Sequence, residues 1–191
     1  VRRLPMSSSP EIFDNSIKAW FKDMTNYDLS LMKFAFKAAS EMATALKLND
    51  EAVHWEKVGK QLPAFDLDKA GSLTIAKGFP YNESHRHFSH AMAIHPLGLL
   101  DYSQGEESQQ IINATLKRMQ EVGPDWWCGY SYSWFGNMKA RAFDGEGAAQ
   151  ALKTFAECFC LPNTFHANGD QTNSGKSKFT YRPFTLEGNF A

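Results

Sequence analysis

The stretch NYDLSLMKFAFKAASEMATALKL, residues 26–48, decides the fold class. Leu29, Met32, Phe36, Ala39, Ala43 and Leu46 recur at steps of three and four. That period places them on one face of an α-helix. Asn49 and Asp50 supply a stop and the cap of a second helix, DEAVHWEKVGKQL, ended by Pro63. Further on, HRHFSHAMAIHPLGLL (85–100) is apolar enough to predict a buried helix interrupted by Pro96. Ser103 and Glu106 stand at capping-box spacing before a helix whose stripe is Ile111, Ile112, Leu116 and Met119, closed by Gly123-Pro124. YSYSWFGNMKARAF (130–143) and DGEGAAQALKTFAECF (144–159) predict two more helices, the second capped by Asp144.

Between these lie two long connections. Residues 63–84, with Gly71, Gly78 and Pro80, read as irregular chain with at most one short strand. Residues 161–187 are polar, rich in Gly and Asn, and loop-like. Simple helical bundles use connections of about two to eight residues, so loops this long point to function. There is no strand-rich half and no repeated βα unit. The expectation is an all-α domain spanning 1–191, helix after helix, as a helical solenoid or α/α toroid requires.

Composition narrows the function classes. Apolar residues make up 43% of 191, enough for a real core. The net charge is −1 and the 20 Lys and Arg are scattered, so no basic stripe marks a nucleic-acid partner. No apolar run of about 18 residues suggests a membrane span. The opening VRRLPMSSSP has no apolar signal-peptide core and starts at Val1, so the chain is expected to begin partway through a longer protein. Cys128, Cys158 and Cys160 fit neither a disulfide framework nor a zinc pattern and read as small buried hydrophobes. No G-x-S-x-G and no phosphate-cradling Gly loop is present, and no cofactor is expected.

Chemistry concentrates in three places. HRHFSH (85–90) holds three of the six histidines. Its 85/87/90 spacing suits neither a strand nor a helix throughout, Glu83 is the nearby acid, and Arg86 would repel a cation. A metal site therefore ranks last, behind a helix start with partly exposed histidines and a polar wall that grips hydroxyls. Two carboxylates stand in unusual settings. Glu11 lies in the turn-like SSSPE, and Glu187 in FTLEGNF among Phe184, Leu186 and Phe190, where an apolar surrounding would raise its proton affinity. Finally, Trp126, Trp127, Tyr130, Tyr132 and Trp134 cluster around Gly129, with Trp126-Trp127 expected as a loop wall and Trp134 as helix core.

In order along the chain these pieces resemble the α-L-fucosidase-type enzymes of glycoside hydrolase family 95. SSSPE at 7–11 is similar to the family's P-S-x-S-P-E, and MTNYDLSL at 24–31 to its T-M-D helix start, with Asp28 at the aspartate. HRHFSH matches H-R-H-x-S-H, GYSYSW at 129–134 echoes G-W-S-x-x-W, and Asn163 and Phe165 echo N-x-F. LEGNFA at 186–191 resembles the closing I-D-G-N-F-G. The resemblance implies the C-terminal part of an (α/α)6 barrel that cleaves α-L-fucosides, or a related sugar such as α-L-galactosides, with inversion. It assigns the general acid to Glu11 and the carboxylate supporting water activation to Glu187. It assigns sugar binding to His85, Arg86, His87, Trp134 and Asn189, with His90 behind the first two histidines. It implies a glycan substrate, the remaining N-terminal part of the enzyme as partner, and a secreted or periplasmic location.

Three of the chain's departures from the pattern bear on the site. Glu187 stands where the family has Asp, and one added methylene moves a carboxylate by about 1.5 Å. Tyr132 replaces a charged residue and Ala191 a glycine, both expected to touch the cleft wall. These departures keep a second class open, a non-catalytic carbohydrate-binding helical domain. A metal-dependent enzyme using the histidines stands third.

Overall fold

The computed structural model describes residues 2–180 together with 185 and 186. Among these, five α-helices carry the fold: α1 (Asn26–Ala45), α2 (Asn49–Gly59), α3 (Glu106–Val122), α4 (Gly129–Arg141) and α5 (Gly145–Phe159). The regular strand structure is a two-residue antiparallel pairing of β1 (His166–Ala167) with β2 (Thr185–Leu186). The protein is all-α, as the periodicity requires. It divides into two compact units, Val1–Pro80 with Ser89–Leu100, and Tyr81–Phe88 with Asp101–Ala191.

In the first unit, α1 and α2 form a helical hairpin. The turn passes through Lys47 at φ 60°. Phe36 stacks on Trp55 at 5.8 Å between centroids, and the Ser40 hydroxyl donates to the Ala52 carbonyl at 2.9 Å. The second helix starts one residue earlier than expected, after Leu48, and neither Asn49 nor Asp50 caps it. Met24, Leu29 and Leu62 form the core beneath the start of α1. Asn26 is fully buried there. Its amide donates to the carbonyls of Asp66 and Thr74, at 2.8 Å each, and accepts the Asp66 N–H at 3.1 Å. With every polar atom of that amide hydrogen-bonded, the cost of burying it is offset, and residues 63–80 are fixed without a strand. Isolated bridges at Leu67↔Leu73 and Ala76↔Phe79 are all the β structure that loop has.

The helix expected over 85–100 does not form. Only a 3-10 turn, Ser89–Ala91, is helical, and it is followed by tight turns. Leu97 N–H bonds the Met92 carbonyl, and the Leu99 and Leu100 N–H groups both bond Ala93. Pro96 lacks the N–H that a helix interior needs, and Gly98 takes a left-handed φ of 58°. The apolar content reflects burial, with Ala91, Ala93 and Ile94 all fully enclosed.

In the second unit, the capping box lies two residues upstream of its expected place. Asp101 and Gln104 make it, around the 3-10 turn Tyr102–Gln104, while Gly105 at φ 106° is the cap residue of α3. α3 buries Ile112, Leu116 and Met119. α4 and α5 pack as a hairpin across Phe143 and Asp144. Asp144 is the N-cap of α5 as expected, accepting the Gly147 N–H at 2.8 Å and bonding the Lys139 ammonium at 3.0 Å. Met138, Phe155 and Phe159 are fully enclosed, each worth about 1.5–3 kcal/mol of apolar burial. Cys128 and Cys158 are buried and in no disulfide, and the partly buried Cys160 has its thiol pushed up by burial.

Candidate functional site

Residues 81–88, which carry the candidate sugar-binding histidines, are pinned onto the start of α4 by groups from both sides. Cys128 is the N-cap of α4, and the Ser131 hydroxyl reaches back to accept the Cys128 N–H at 3.0 Å. The same hydroxyl donates to the Arg86 carbonyl at 2.7 Å. One serine thus satisfies a helix-end donor and fixes the backbone between the two histidines. On the other side, the buried Tyr81 phenol accepts the His85 N–H at 3.0 Å, and burial pushes that phenol up. Arg118 holds the Tyr81 carbonyl at 3.0 Å and also bonds Asn82.

This frame brings the His85 and His87 rings together, 5.5 Å apart between centroids. His85 Nδ1 lies 3.1 Å from the His87 backbone nitrogen and 3.3 Å from the His87 carbonyl oxygen, so its ring is held against the His87 backbone. His87 stacks on Tyr130 at 5.5 Å, with its Nε2 3.4 Å from the Tyr130 hydroxyl. Both rings are partly exposed. Imidazole nitrogens and a phenol hydroxyl beside an aromatic face suit polyhydroxylated ligands. Trp134 stands behind it, partly buried and tilted against the enclosed Phe88 at 5.6 Å. Among the described residues, no three His, Cys, Asp or Glu side chains converge in a metal-ligating group.

The tryptophan pair divides, contrary to its expectation as a wall. Trp127 is core, packed against Phe88, Tyr132 and Phe135, whereas Trp126 stays 47% exposed. Tyr132 also moves inward. Its ring lies between Trp127 and Phe159, and its hydroxyl donates to the Lys176 carbonyl at 2.6 Å. Burial, then the nearby Cys158 and Asp170, pushes that phenol far up. Tyr132 therefore substitutes a packed ring for the family's charge instead of lining a wet surface.

Sequence reasoning missed two residues of this unit. His166 is fully buried, neither ring nitrogen has a hydrogen-bond partner among the described residues, and desolvation lowers its proton affinity. It meets Tyr130 edge-on at 6.2 Å, and lies so near Gly129 that a Cβ there would come within 2.3 Å of its Nε2. Asp170 organises the loop after β1. Its carboxylate accepts the Thr172 N–H at 2.9 Å, the Thr172 hydroxyl at 2.9 Å and the Ser174 hydroxyl at 2.8 Å. Burial pushes this carboxyl up, but those bonds outweigh it and hold it below the ordinary range. The D-x-T-x-S spacing at 170–174 was the available signal.

In the first unit, the SSSPE segment and the start of α1 are one hydrogen-bonded assembly. Ser7 Oγ donates to Asp28 Oδ2 at 2.6 Å and accepts the Thr25 N–H at 2.9 Å. Thr25 caps α1 through the Asp28 N–H at 3.2 Å and donates to the Ser8 carbonyl at 2.9 Å. Glu11 follows in the left-handed region at φ 57°, with Phe13 and Asp14 at φ 51° and 52°. Three such non-glycine residues within four positions store strain, on the order of 1–3 kcal/mol each. Glu187 and Asn189 lie outside the described residues.

Two motifs far apart in sequence are thus locked around α1, and two more around α4. The chain matches the glycosyl hydrolase family 95 catalytic domain across residues 3–191. It belongs to that family. The five helices agree with the α/α toroid on which the family is built. The chain is also similar to Alpha-L-fucosidase 2 of Arabidopsis thaliana, 25% identical over 168 residues. That alignment takes in 85% of this chain and 19% of the relative's length.

Proposed function

We propose that this family 95 chain belongs to an inverting glycoside hydrolase for α-L-fucosides or a related sugar such as α-L-galactosides, acting on glycans outside the cell or in the periplasm. The observation that carries the reading is the family match over 3–191, supported by similarity to a protein named an α-L-fucosidase. In this reading Glu11 protonates the leaving glycosidic oxygen, and Glu187 supports the group that positions water. The strained, hydrogen-bonded turn at Glu11 supports the first role, because such strain collects where a side chain must be held in one direction. His85, Arg86, His87, Trp134 and Asn189 bind the sugar, and the rest of the site comes from the N-terminal part of the same enzyme.

Inversion sets a stereochemical test. The full-length protein, given an aryl α-L-fucoside and an aryl α-L-galactoside in an NMR tube, should release the β-anomer first. Release of the α-anomer would contradict inversion. Glu187 in place of aspartate favours one competing reading, a carbohydrate-binding domain without turnover. Calorimetric sugar binding with no product from either substrate would establish that reading instead.

A further inference from the structure

The sequence holds two N-x-S/T triplets, Asn82-Glu83-Ser84 and Asn113-Ala114-Thr115, neither with proline in the middle. In such a triplet the asparagine amide takes a covalently attached glycan, which demands a place on the surface. The fold treats the two triplets differently. Asn113 lies within α3, and its amide donates to the Tyr102 hydroxyl at 3.2 Å. Thr115, the third residue of that triplet, is fully enclosed. A glycan on Asn113 would compete with Tyr102 for the amide, from the middle of a packed helix.

Asn82 is exposed, in irregular chain between the buried Tyr81 and the histidines. Its neighbours fix that chain. Arg118 donates to the Tyr81 carbonyl at 3.0 Å, and the Ser84 hydroxyl accepts the Trp126 N–H at 3.0 Å. The Arg118 guanidinium also donates to Asn82 Oδ1. A guanidinium has donors alone, so that bond decides how the amide is turned, with its oxygen toward α3 and its nitrogen away. Among the described residues Asn82 Nδ2 has no hydrogen-bond partner. Glycosylation replaces one hydrogen on Nδ2 and leaves Oδ1 untouched, so the modified side chain keeps its bond to Arg118. This end of the segment is held by α3, whereas His87 stacks on Tyr130 of α4. The triplet and the histidines are thus anchored on different helices.

We propose that Asn82 is a site of N-linked glycosylation. The donor is an oligosaccharide carried on a polyisoprenoid diphosphate, and a transferase of the eukaryotic secretory pathway catalyses the step. A bond forms between Asn82 Nδ2 and the anomeric carbon of the first N-acetylglucosamine. The bond from that carbon to the diphosphate oxygen breaks, and the carrier diphosphate leaves with the amide proton. Ser84 meets Trp126 only once the chain has folded, so its hydroxyl is available while the chain is being exported. The proposal rests on the reading of this protein as one that acts outside the cell.

Site-resolved mass spectrometry tests it on the full-length protein, directed by a leader into the secretory pathway of a eukaryotic host. Treatment with peptide N-glycosidase in heavy-oxygen water converts a glycan-bearing asparagine to a labelled aspartate. The expected result is the label at position 82 in most molecules. Asn82→Gln and Ser84→Ala should lose it completely and run faster on a gel by one glycan's mass. Ser84→Thr, which keeps the hydroxyl for both the triplet and Trp126, should retain it. Exported protein with Asn82 unlabelled, whether or not Asn113 is labelled, would overturn the proposal. Because the leader commits the chain to export, that result counts against the site and not against the export reading. Glycoside turnover is assayed on the same preparation: turnover without the label removes the site and leaves the hydrolase reading standing, and the label without turnover does the reverse.

Discussion

The Ser131 hydroxyl donates to the Arg86 carbonyl at 2.7 Å across 45 residues of sequence. Because the same oxygen accepts the Cys128 N–H, this atom couples the cap of α4 to the only backbone position between His85 and His87. Loss of it leaves both a helix-end donor and a carbonyl without their partner. Ser131→Ala is expected to cost about 1–3 kcal/mol in denaturant unfolding and to raise KM for the sugar. Wild-type KM in a destabilised variant would separate the fold role from the binding role.

Ser7 and Asp28 play the matching part for Glu11. Their 2.6 Å bond fastens the turn to α1, four residues before the carboxyl. Ser7→Ala should lower kcat more than it raises KM, toward the roughly 100-fold that a 1 Å misplacement can produce. The reading is checked by steady-state kinetics on the full-length protein, with circular dichroism confirming that α1 persists.

Gly129 is required by the His166 ring rather than by backbone conformation. An added Cβ would lie 2.3 Å from Nε2 and 2.8 Å from Phe159 Cβ. Gly129→Ala should therefore destabilise by about 1–3 kcal/mol through overpacking. In the double variant Gly129→Ala/His166→Ala that loss should be smaller than the sum of the single losses, a coupling read from a double-mutant cycle.

His166 also sets a pH dependence. Its folded-state pKa is depressed below 6.5 by burial, so the folded protein binds fewer protons than the unfolded chain over that window. Stability is then fully present above about pH 6.5 and falls as pH drops toward the folded value. Thermal melts from pH 8 to pH 5 should show a decline that His166→Phe lacks. Identical slopes in both would show that the ring is not the titrating group.

Local features of the sequence were legible where one element decides them. The stripe of α1 from Leu29 to Ala43 and the Asp144 cap of α5 are short-range patterns, and both formed, whereas Leu46, the last residue expected on that stripe, is the C-cap and lies exposed. The 85–100 segment misled because a buried apolar run has the same composition as a helix, and Pro96 with Gly98 turned the chain instead. The capping box slipped from Ser103/Glu106 to Asp101/Gln104 because two overlapping patterns occupy six residues, and Gly105 separates the 3-10 turn from α3. Nothing in spacing could have joined Ser131 to Arg86 or Ser7 to Asp28. Those pairs exist only once helices have packed, and they are what turns three histidine-segment residues and one glutamate into positioned groups.

The proposed hydrolysis turns on proton donation by Glu11. The most direct measurement is kcat of the full-length Glu11→Gln variant on a fucosylated oligosaccharide, whose sugar leaving group needs protonation. The expected result is a fall of about 10²- to 10⁴-fold, the usual contribution of a positioned general acid, with the fold intact. A variant that turns over within a few-fold of wild type would contradict it.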